Sequence, residues 1–377
     1  MRYIMLNVNE SVARILTELP EAREFFSIKK LPRNPEHKMA SQLSLKNMLR
    51  FKRIDEEIFL RELDEFIGEQ KQVLHQGAEP GECQLWARIP CVVQLPVQNL
   101  LDAFLAENRL PCKYNIALVE FGREWIDDLT GIAKPPVLVG AGIEGMVQNA
   151  VVTEEYAAPR AGGLNGDFEA FEDPRGIFRF LTGVPLVFVA DTSRLGREAP
   201  PRSWESLLFG NYRICYADDG HLLDGVFLAY VYQQFGEEGI AALKERSVCG
   251  VHPSQMIKAG AIDQEPSVYI LPYIFGTIKI REPGHEMIWP GEGAPIIPVF
   301  ISRKKDAGEN ERRVAEFLCG EECGRIFVSQ GLFPSSHPGV SNGLPGKLRW
   351  LGWDYIYQND LLRIIARAKA LFLGGEG

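Results

Sequence analysis

Apolar positions in the N-terminal stretch repeat at helical spacing. In NESVARILTEL, Val12, Ile15, Leu16 and Leu19 fall at i, i+3, i+4 and i+7, with Asn9 placed to cap the first turn. A second helical pattern runs from Ser44 to near Val73: Leu45, Met48 and Leu49 form one patch, and Ile58, Phe59, Leu63, Phe66 and Ile67 the next. LPRNPEHK, 31–38, reads as a linker, and HQGAEPGE, 75–82, as a domain boundary.

From residue 83 the period changes. QLWARI (84–89), NIALVEF (115–121), PPVLVGAG (135–142), GVPLVFVAD (183–191), YRICYAD (212–218), SVYILPYIF (267–275) and PIIPVFISR (295–303) read as strands. Helical patterns separate or follow them. They are LPVQNLLDAFLAEN (95–108), SWESLL (203–208) capped by Ser203, a stretch ending near Phe235, GEEGIAALKER (236–246), RRVAEFLCG, ECGRIFVSQGLF and NDLLRIIARAKALFL (359–373). Alternation of this kind predicts an α/β protein with parallel sheets covered by helices.

The chain has 377 residues, 46% of them hydrophobic, enough for a large core and two to three domains. Its net charge of −9 excludes nucleic acid as the main partner, because phosphate binding needs clustered Lys and Arg. No apolar run approaches the length of a membrane span. The opening MRYIMLNVNESVARILTELPEAREFF has no basic region, apolar core and cleavage site in order. Read this way the protein is expected in the cytoplasm, or in the periplasm or outside the cell if a signal has been removed. Seven cysteines, Cys83, Cys91, Cys112, Cys215, Cys249, Cys319 and Cys323, are odd in number and irregular in spacing, which predicts free thiols in a reducing compartment. Cys319 and Cys323 in FLCGEECGRIF are expected to share a helix face as small buried residues, without the further partners a metal clip needs.

VLVGAGIEG carries Gly140, Gly142 and Gly145, a G-x-G-x-x-G after a strand. A dinucleotide fold wants this turn on its first strand and an acidic residue ending a second strand about 20 residues on. Here two strand candidates come earlier. Asp167 has the offset, but Pro159, Gly162, Gly163, Asn165 and Gly166 spoil its approach as a strand. The same turn would serve an anion held at a helix N-terminus, or merely tight packing. The Walker A lysine motif and H-E-x-x-H are missing. The carboxylates Asp218, Asp219 and Asp224 follow no spacing that assigns acid and base roles. No enzyme activity and no cofactor are therefore expected.

The middle of the chain carries a more specific pattern. In GVPLVFVADTSRLGREAPPRSWESLLFGNYRI, the run Pro185–Val189, then Asp191, Pro201, Ser203, Trp204, Leu207 and Leu208, resembles bacterial extracellular solute-binding proteins of ABC transporters, the type 2 periplasmic-binding fold. EPSVYILPYIFG, MIWPGEGAPIIPVFISRKK, FLCGEECGRIFVSQGLFPSSHPGV and KLRWLGWDYI (347–356) extend the resemblance over 83–375, closest to the iron(III)-type or general branch. Residues 9–33 resemble a small helical domain of unknown function whose usual C-x-x-C element is missing here.

The resemblance implies an all-α domain at 1–75 before two α/β lobes. Lobe one would comprise 83–182 plus 302–377, and lobe two 183–301, joined by two crossover hinge strands near 183–191 and 295–301. A small ligand would sit in the cleft between them and be captured by hinge closure. Contacts are expected from Pro90 and Cys91 after the first strand, and from Gly142, Ile143 and Glu144 after the third. Asp218, Asp219 and His221 in YADDGHLLDG, His252 in HPSQM, and Tyr269 and Tyr273 in YILPY would supply the rest. His221 and His252 also read as capping or loop residues, and the tyrosines as core packing. Iron-binding relatives commonly use adjacent tyrosines, and this chain has no Tyr-Tyr. An anion, a metal held by Asp218, Asp219 and His221, or a metal complex stays open as the ligand. The function implied is solute capture for ABC-type transport, with a permease as partner. The alternative is a cytoplasmic small-ligand sensor or carrier on the same fold, with 1–75 contacting another protein.

Overall fold

The structure is a computed structural model that describes residues 7–19, 22, 25, 26, 29, 31, 32, 38–52, 54–56, 58–63, 84–118, 134–141, 146–217, 225–251, 253–258, 262 and 265–373. The chain divides into two compact units, Met1–Gly77 and Ala78–Gly377.

The first unit is helical, with helices Val12–Glu18, Lys38–Gln42 and Leu45–Lys52 and a further helical stretch at 58–63. Ser11, and not Asn9, caps the first helix, its hydroxyl accepting from the Arg14 N–H at 3.2 Å. Asn9 lies in a preceding turn, its own N–H given to the Asn7 side chain. Ser11 is fixed by a bridge to Ser44, which aligns the two apolar patches of the sequence. Val12, Ile15, Leu16, Leu45, Met48, Leu49, Phe59 and Leu63 are buried together with Phe25 and Phe26. Phe59 meets the rings of Phe25 and Phe26 edge-on at 5.1 and 5.4 Å. Ile58, which the periodicity assigns to this face, is 45% exposed. Phe66, Ile67 and the boundary at 75–82 lie outside the described residues.

The second unit is built on one mixed sheet. Its strands are β1 (Leu85–Ile89), β2 (Tyr114–Leu118), β3 (Val137–Ala141), β4 (Tyr156–Ala157), β5 (Arg179–Asp191), β6 (Ile214–Ala217), β7 (Ser247–Val251), β8 (Val268–Pro272), β9 (His285–Ile288), β10 (Ala294–Lys304) and β11 (Leu348–Arg349). The order is β2-β1-β3-β10-β5-β8-β6-β7, with β4 and β11 beside β10 and β9 beside β5. β2, β1 and β3 are mutually parallel, as are β7, β6 and β8. β5 and β10 run antiparallel to each other and to their neighbours β8 and β3.

These two long strands join the halves of the sheet. The first part of β5 pairs with β10, and Leu186–Ala190 pairs with β8 in the other half. All thirteen residues of β5 are buried, Arg179, Thr182 and Asp191 included, and its apolar run Val184–Ala190 is what a strand covered on both faces requires. β5 begins four residues before the sequence reading, at Arg179, because Phe178 and Phe180 are drawn into an aromatic cluster. Phe180 packs on Phe300 of β10 at 4.7 Å and on Trp350 at 5.2 Å, while Phe178 stacks on Trp353 at 5.7 Å. The KLRWLGWDYI motif thus supplies the indoles that cover the junction.

Two other motifs meet each other. Ser203 and Ser206 form a capping box on helix Trp204–Phe209, and Glu292 of WPGEG accepts from the Trp204 N–H at 2.5 Å. A carboxylate at a helix N-terminus satisfies an orphan donor and complements the dipole. Trp204 is fully buried against Phe188 and Phe227.

Several elements depart from the sequence reading. Helix Cys91–Asn108 starts at Cys91, upstream of Leu95, with Pro96 inside it. The helices on either side of Phe235 form one span, Val226–Arg246, broken at Gly236 where φ is +63°. β8 ends at Pro272 and Tyr273 opens a helix, Tyr273–Lys279. Cys319 caps helix Glu309–Leu318 while Cys323 belongs to the next, Glu321–Gly331, so they share no helix face although both are buried. The terminal helix Leu361–Leu373 lies on Val226–Arg246. Its apolar stripe, Ile365, Ala368 and Phe372, needs cover, and Tyr216 meets Phe372 at 5.5 Å. Among the described residues no helix is long and apolar enough to cross a membrane.

Candidate functional site

The strand register locates a gap between the two halves. Ala141, the last residue of β3, pairs with Val299, which pairs with Thr182 of β5. Pro272, the last residue of β8, pairs with Leu186 of the same strand. Four residue steps along β5, from Thr182 to Leu186, therefore separate the two strand ends, about 13 Å at about 3.3 Å per residue. β1 and β2 end level with β3, and β6 and β7 run in the direction of β8. Two sets of three parallel strands thus point their carboxyl ends at one gap from opposite sides, the place where open α/β sheets hold ligands.

Two strand ends at the gap are built alike. Pro90 follows β1 and is the N-cap of helix Cys91–Asn108, with φ −58° and ψ 139°. Pro272 ends β8 and is the N-cap of helix Tyr273–Lys279, with φ −57° and ψ 143°. Neither helix has a side-chain cap. Proline has no side-chain acceptor; the Val93 N–H is given to the Pro90 carbonyl at 3.1 Å, and the positive dipole ends of both helices are turned to the gap without a capping side chain.

Pro90 and Tyr273 are therefore brought to gap-side strand ends. Cys91 is the first residue of its helix. Tyr273 is half-buried, its ring edge-on to Trp289 at 5.4 Å. Tyr269 is placed differently. It is 4% exposed, lies three residues back along β8, and packs under the Lys279 ammonium at 4.9 Å and beside the His285 ring at 6.0 Å. Burial pushes its phenol up to about 12. This side chain serves the interior, because residues four apart across a strand end need not share an environment. Gly142, Ile143, Glu144, Asp218, Asp219, His221 and His252 lie outside the described residues. Ala141, Ala217 and Val251, which precede Gly142, Asp218 and His252 in the chain, end β3, β6 and β7.

One gap-side segment is absent from the sequence reading of the site. Ser335 bridges to Thr182, on the flank of β5 that β8 occupies beyond Leu186. The Thr182 hydroxyl donates to the Pro334 carbonyl at 2.7 Å, and the Ser336 hydroxyl and N–H donate to Phe180 and Leu181 carbonyls. Asn165 and Asn342 close the turn with side-chain bonds to Val340, Ser335 and Asp167. The SSHP turn, with half-buried His337, is thereby held level with the end of β3. The signal was the cluster of Ser, His, Pro and Asn after GLF.

The dinucleotide reading finds no support in the fold. β3 is the third strand of its half, and the stretch toward Asp167 is a loop whose carbonyls at Ala161, Gly162 and Gly163 all accept from the buried Arg179 guanidinium. Among the described residues no group of three or more His, Cys, Asp or Glu is placed to hold a metal.

Solved structures share this architecture. A periplasmic thiamin binding protein matches over 77% of this chain and 96% of its own, with 12% identity and a TM-score of 0.55. Iron-bound HitA from Pseudomonas aeruginosa matches over 78% and 98%, with 13% identity and a TM-score of 0.55. The periplasmic binding protein AfuA from Actinobacillus pleuropneumoniae, with fructose-6-phosphate bound, matches over 75% and 96%, with 17% identity and a TM-score of 0.54. At such identities the likeness speaks for the fold: a two-lobed α/β protein whose lobes share crossover strands. No curated protein sequence matches the chain. A family model described as bacterial extracellular solute-binding protein matches residues 138–359. That span covers more than half of the chain, including both crossover strands and the motifs at their ends, and the chain belongs to the bacterial extracellular solute-binding protein family.

Proposed function

We propose that the protein captures a small anionic solute, of the size of a phosphate ester, between its lobes and delivers it to an ABC permease. The observation that carries this reading is the pair of proline-capped helix starts, one from each lobe, opening on the gap without side-chain caps. Such ends attract negative charge. The fructose-6-phosphate of the AfuA structure is a ligand of this kind, which supports the reading. Iron through a tyrosine pair has no counterpart here, since the chain has no adjacent tyrosines. Residues after β3, β6 and β7, among them Gly142, Glu144, Asp218 and His252, would complete the contacts. Binding and release, without turnover, would be the whole chemistry, carried out in the periplasm or outside the cell. The helical unit at 1–75 would engage a protein partner.

A thermal-shift panel of inorganic phosphate, fructose 6-phosphate, free fructose, thiamin and ferric citrate tests the proposal, followed by small-angle scattering. A ligand at 100 times its dissociation constant adds about 2.7 kcal/mol of stability. A phosphate-bearing probe is expected to raise the melting temperature and shrink the radius of gyration, with free fructose inert. Stabilisation by free fructose, thiamin or iron alone, or by none of the panel, refutes the anion reading.

A further inference from the structure

Cys215 and Cys249 stand side by side on neighbouring strands. β6 and β7 are parallel, and a register shift after Ile214 makes Val248 the extra residue, so that Cys215 faces Cys249 and not Val248. Adjacent strands lie about 4.8 Å apart, inside the Cα separation of about 4.4–6.8 Å that a disulfide accepts. Both cysteines are free in this structure; Cys215 is fully buried and Cys249, on the edge strand, is half-buried. On the far side Cys215 pairs with Tyr269 of β8, over whose ring the buried Lys279 ammonium sits.

We infer that Cys215 and Cys249 form a reversible redox pair, oxidised to a cross-strand disulfide by low-molecular-weight disulfides of the glutathione class. The roles follow from the surroundings. The Cys249 sulfur accepts the Cys215 S–H, and with the charge of Arg213 this draws the Cys249 thiol below its ordinary value. Cys215 is driven up by the same bond and by burial, against the pull of Lys279. Cys249 is thus the more acidic and more accessible thiol, the attacking one, and Cys215 the resolving thiol. The Cys249 thiolate attacks one sulfur of the oxidised disulfide RSSR, giving a mixed disulfide and RS⁻. RS⁻ takes the Cys215 proton and leaves as RSH. The Cys215 thiolate then attacks the Cys249 sulfur, expelling a second RS⁻, which takes up the proton Cys249 had lost. Both cysteines are oxidised and RSSR is reduced to two RSH. The bond would tie β6 to β7 two residues before their carboxyl ends at Ala217 and Val251.

The test uses the reduced full-length protein, treated with oxidised glutathione, quenched in acid, denatured, alkylated with N-ethylmaleimide and digested for mass spectrometry. The expected result is one peptide pair joined through Cys215 and Cys249, with loss of maleimide label at both and restoration of both by dithiothreitol. Cys215→Ser should leave glutathione trapped on Cys249, and Cys249→Ser should leave Cys215 fully alkylated. If the buried substitution does not fold, the wild-type peptide map and Cys249→Ser decide the matter. Glutathione persisting on wild-type Cys249 with Cys215 alkylated, a bond from Cys215 to another cysteine, or full labelling of both thiols overturns the inference.

Discussion

Replacing Gly183 tests how tightly the two crossover strands are pressed together. Gly183 pairs with Pro298 at the middle of the junction. A methyl group there would meet Ile296 Cδ1 at 3.0 Å and Cβ at 3.1 Å, closer than ordinary van der Waals contact. Ile296 is 1% exposed and has little room to withdraw. Overpacking of this size costs about 1–3 kcal/mol. The lost freedom of the unfolded glycine returns about 0.4–1 kcal/mol. Gly183→Ala should therefore lower stability by about 1–2 kcal/mol. Urea unfolding followed by tryptophan fluorescence measures it, with an unchanged slope showing that the unfolded state is not the cause. Ile296→Val removes the nearer of the two contacts, so Gly183→Ala should cost less in that background, with a coupling of at least about 0.5 kcal/mol. A Gly183→Ala protein within about 0.3 kcal/mol of the parent, or more stable, would show that the strands have room to spare and refute the reasoning.

Three further outcomes are expected. Val92→Asp puts a carboxylate in the first turn of helix Cys91–Asn108, where repulsion of a bound anion at about 5 Å is worth about 1–3 kcal/mol. Titration calorimetry with the phosphate probe that binds in the panel should show affinity at least about fivefold weaker with thermal stability retained, and equal affinity would remove that helix from the site. Asp173→Ala leaves the N–H groups of Arg175, Ile177 and Phe178 and the Tyr357 hydroxyl without their acceptor at a position 6% exposed. It should cost about 3 kcal/mol or more in chemical denaturation, and a loss under about 1 kcal/mol would contradict the count of bonds. Burial pushes the phenols of Tyr230 and Tyr269 up to about 12. The folded state then keeps protons that the unfolded chain releases near pH 10, so stability should be insensitive to these groups below about pH 10 and fall as pH rises toward 12. Urea midpoints measured across that interval check the sign, and a rise with pH would reverse it.

What could be read from the chain divides along physical lines. β5 and β10 announce themselves because a strand buried on both faces is an unbroken apolar run, and Ser203 because a capping serine before Trp-Glu-Ser is a local signal. β7, SVCGV, is half-buried throughout and lies at the sheet edge, so it has neither alternation nor an apolar run. β9, His285–Ile288, is too short and too polar to stand out. In YILPYIF the apolar run hides the change from strand to helix at Tyr273, which only the backbone of Pro272 reveals. Strand–helix alternation points to a cleft at the carboxyl ends. The register that puts Thr182 and Leu186 at its two banks, or sends Tyr269 inward, depends on partners far away in the chain.

The terminal helix gives the molecule a latch beside its two ribbons. Its body rides on the second lobe, with Arg367 paired to Glu237 and Lys244 reaching the Leu371 carbonyl. Its root is gripped from the first lobe by one amide, Gln148, which donates to the Asn359 carbonyl and accepts from the Leu362 N–H. A swing of the lobes must either strip that amide of both partners, at about 1 kcal/mol each, or bend the chain at Asn359 and Asp360. Any parting of the two halves would thus be resisted in part by a single glutamine.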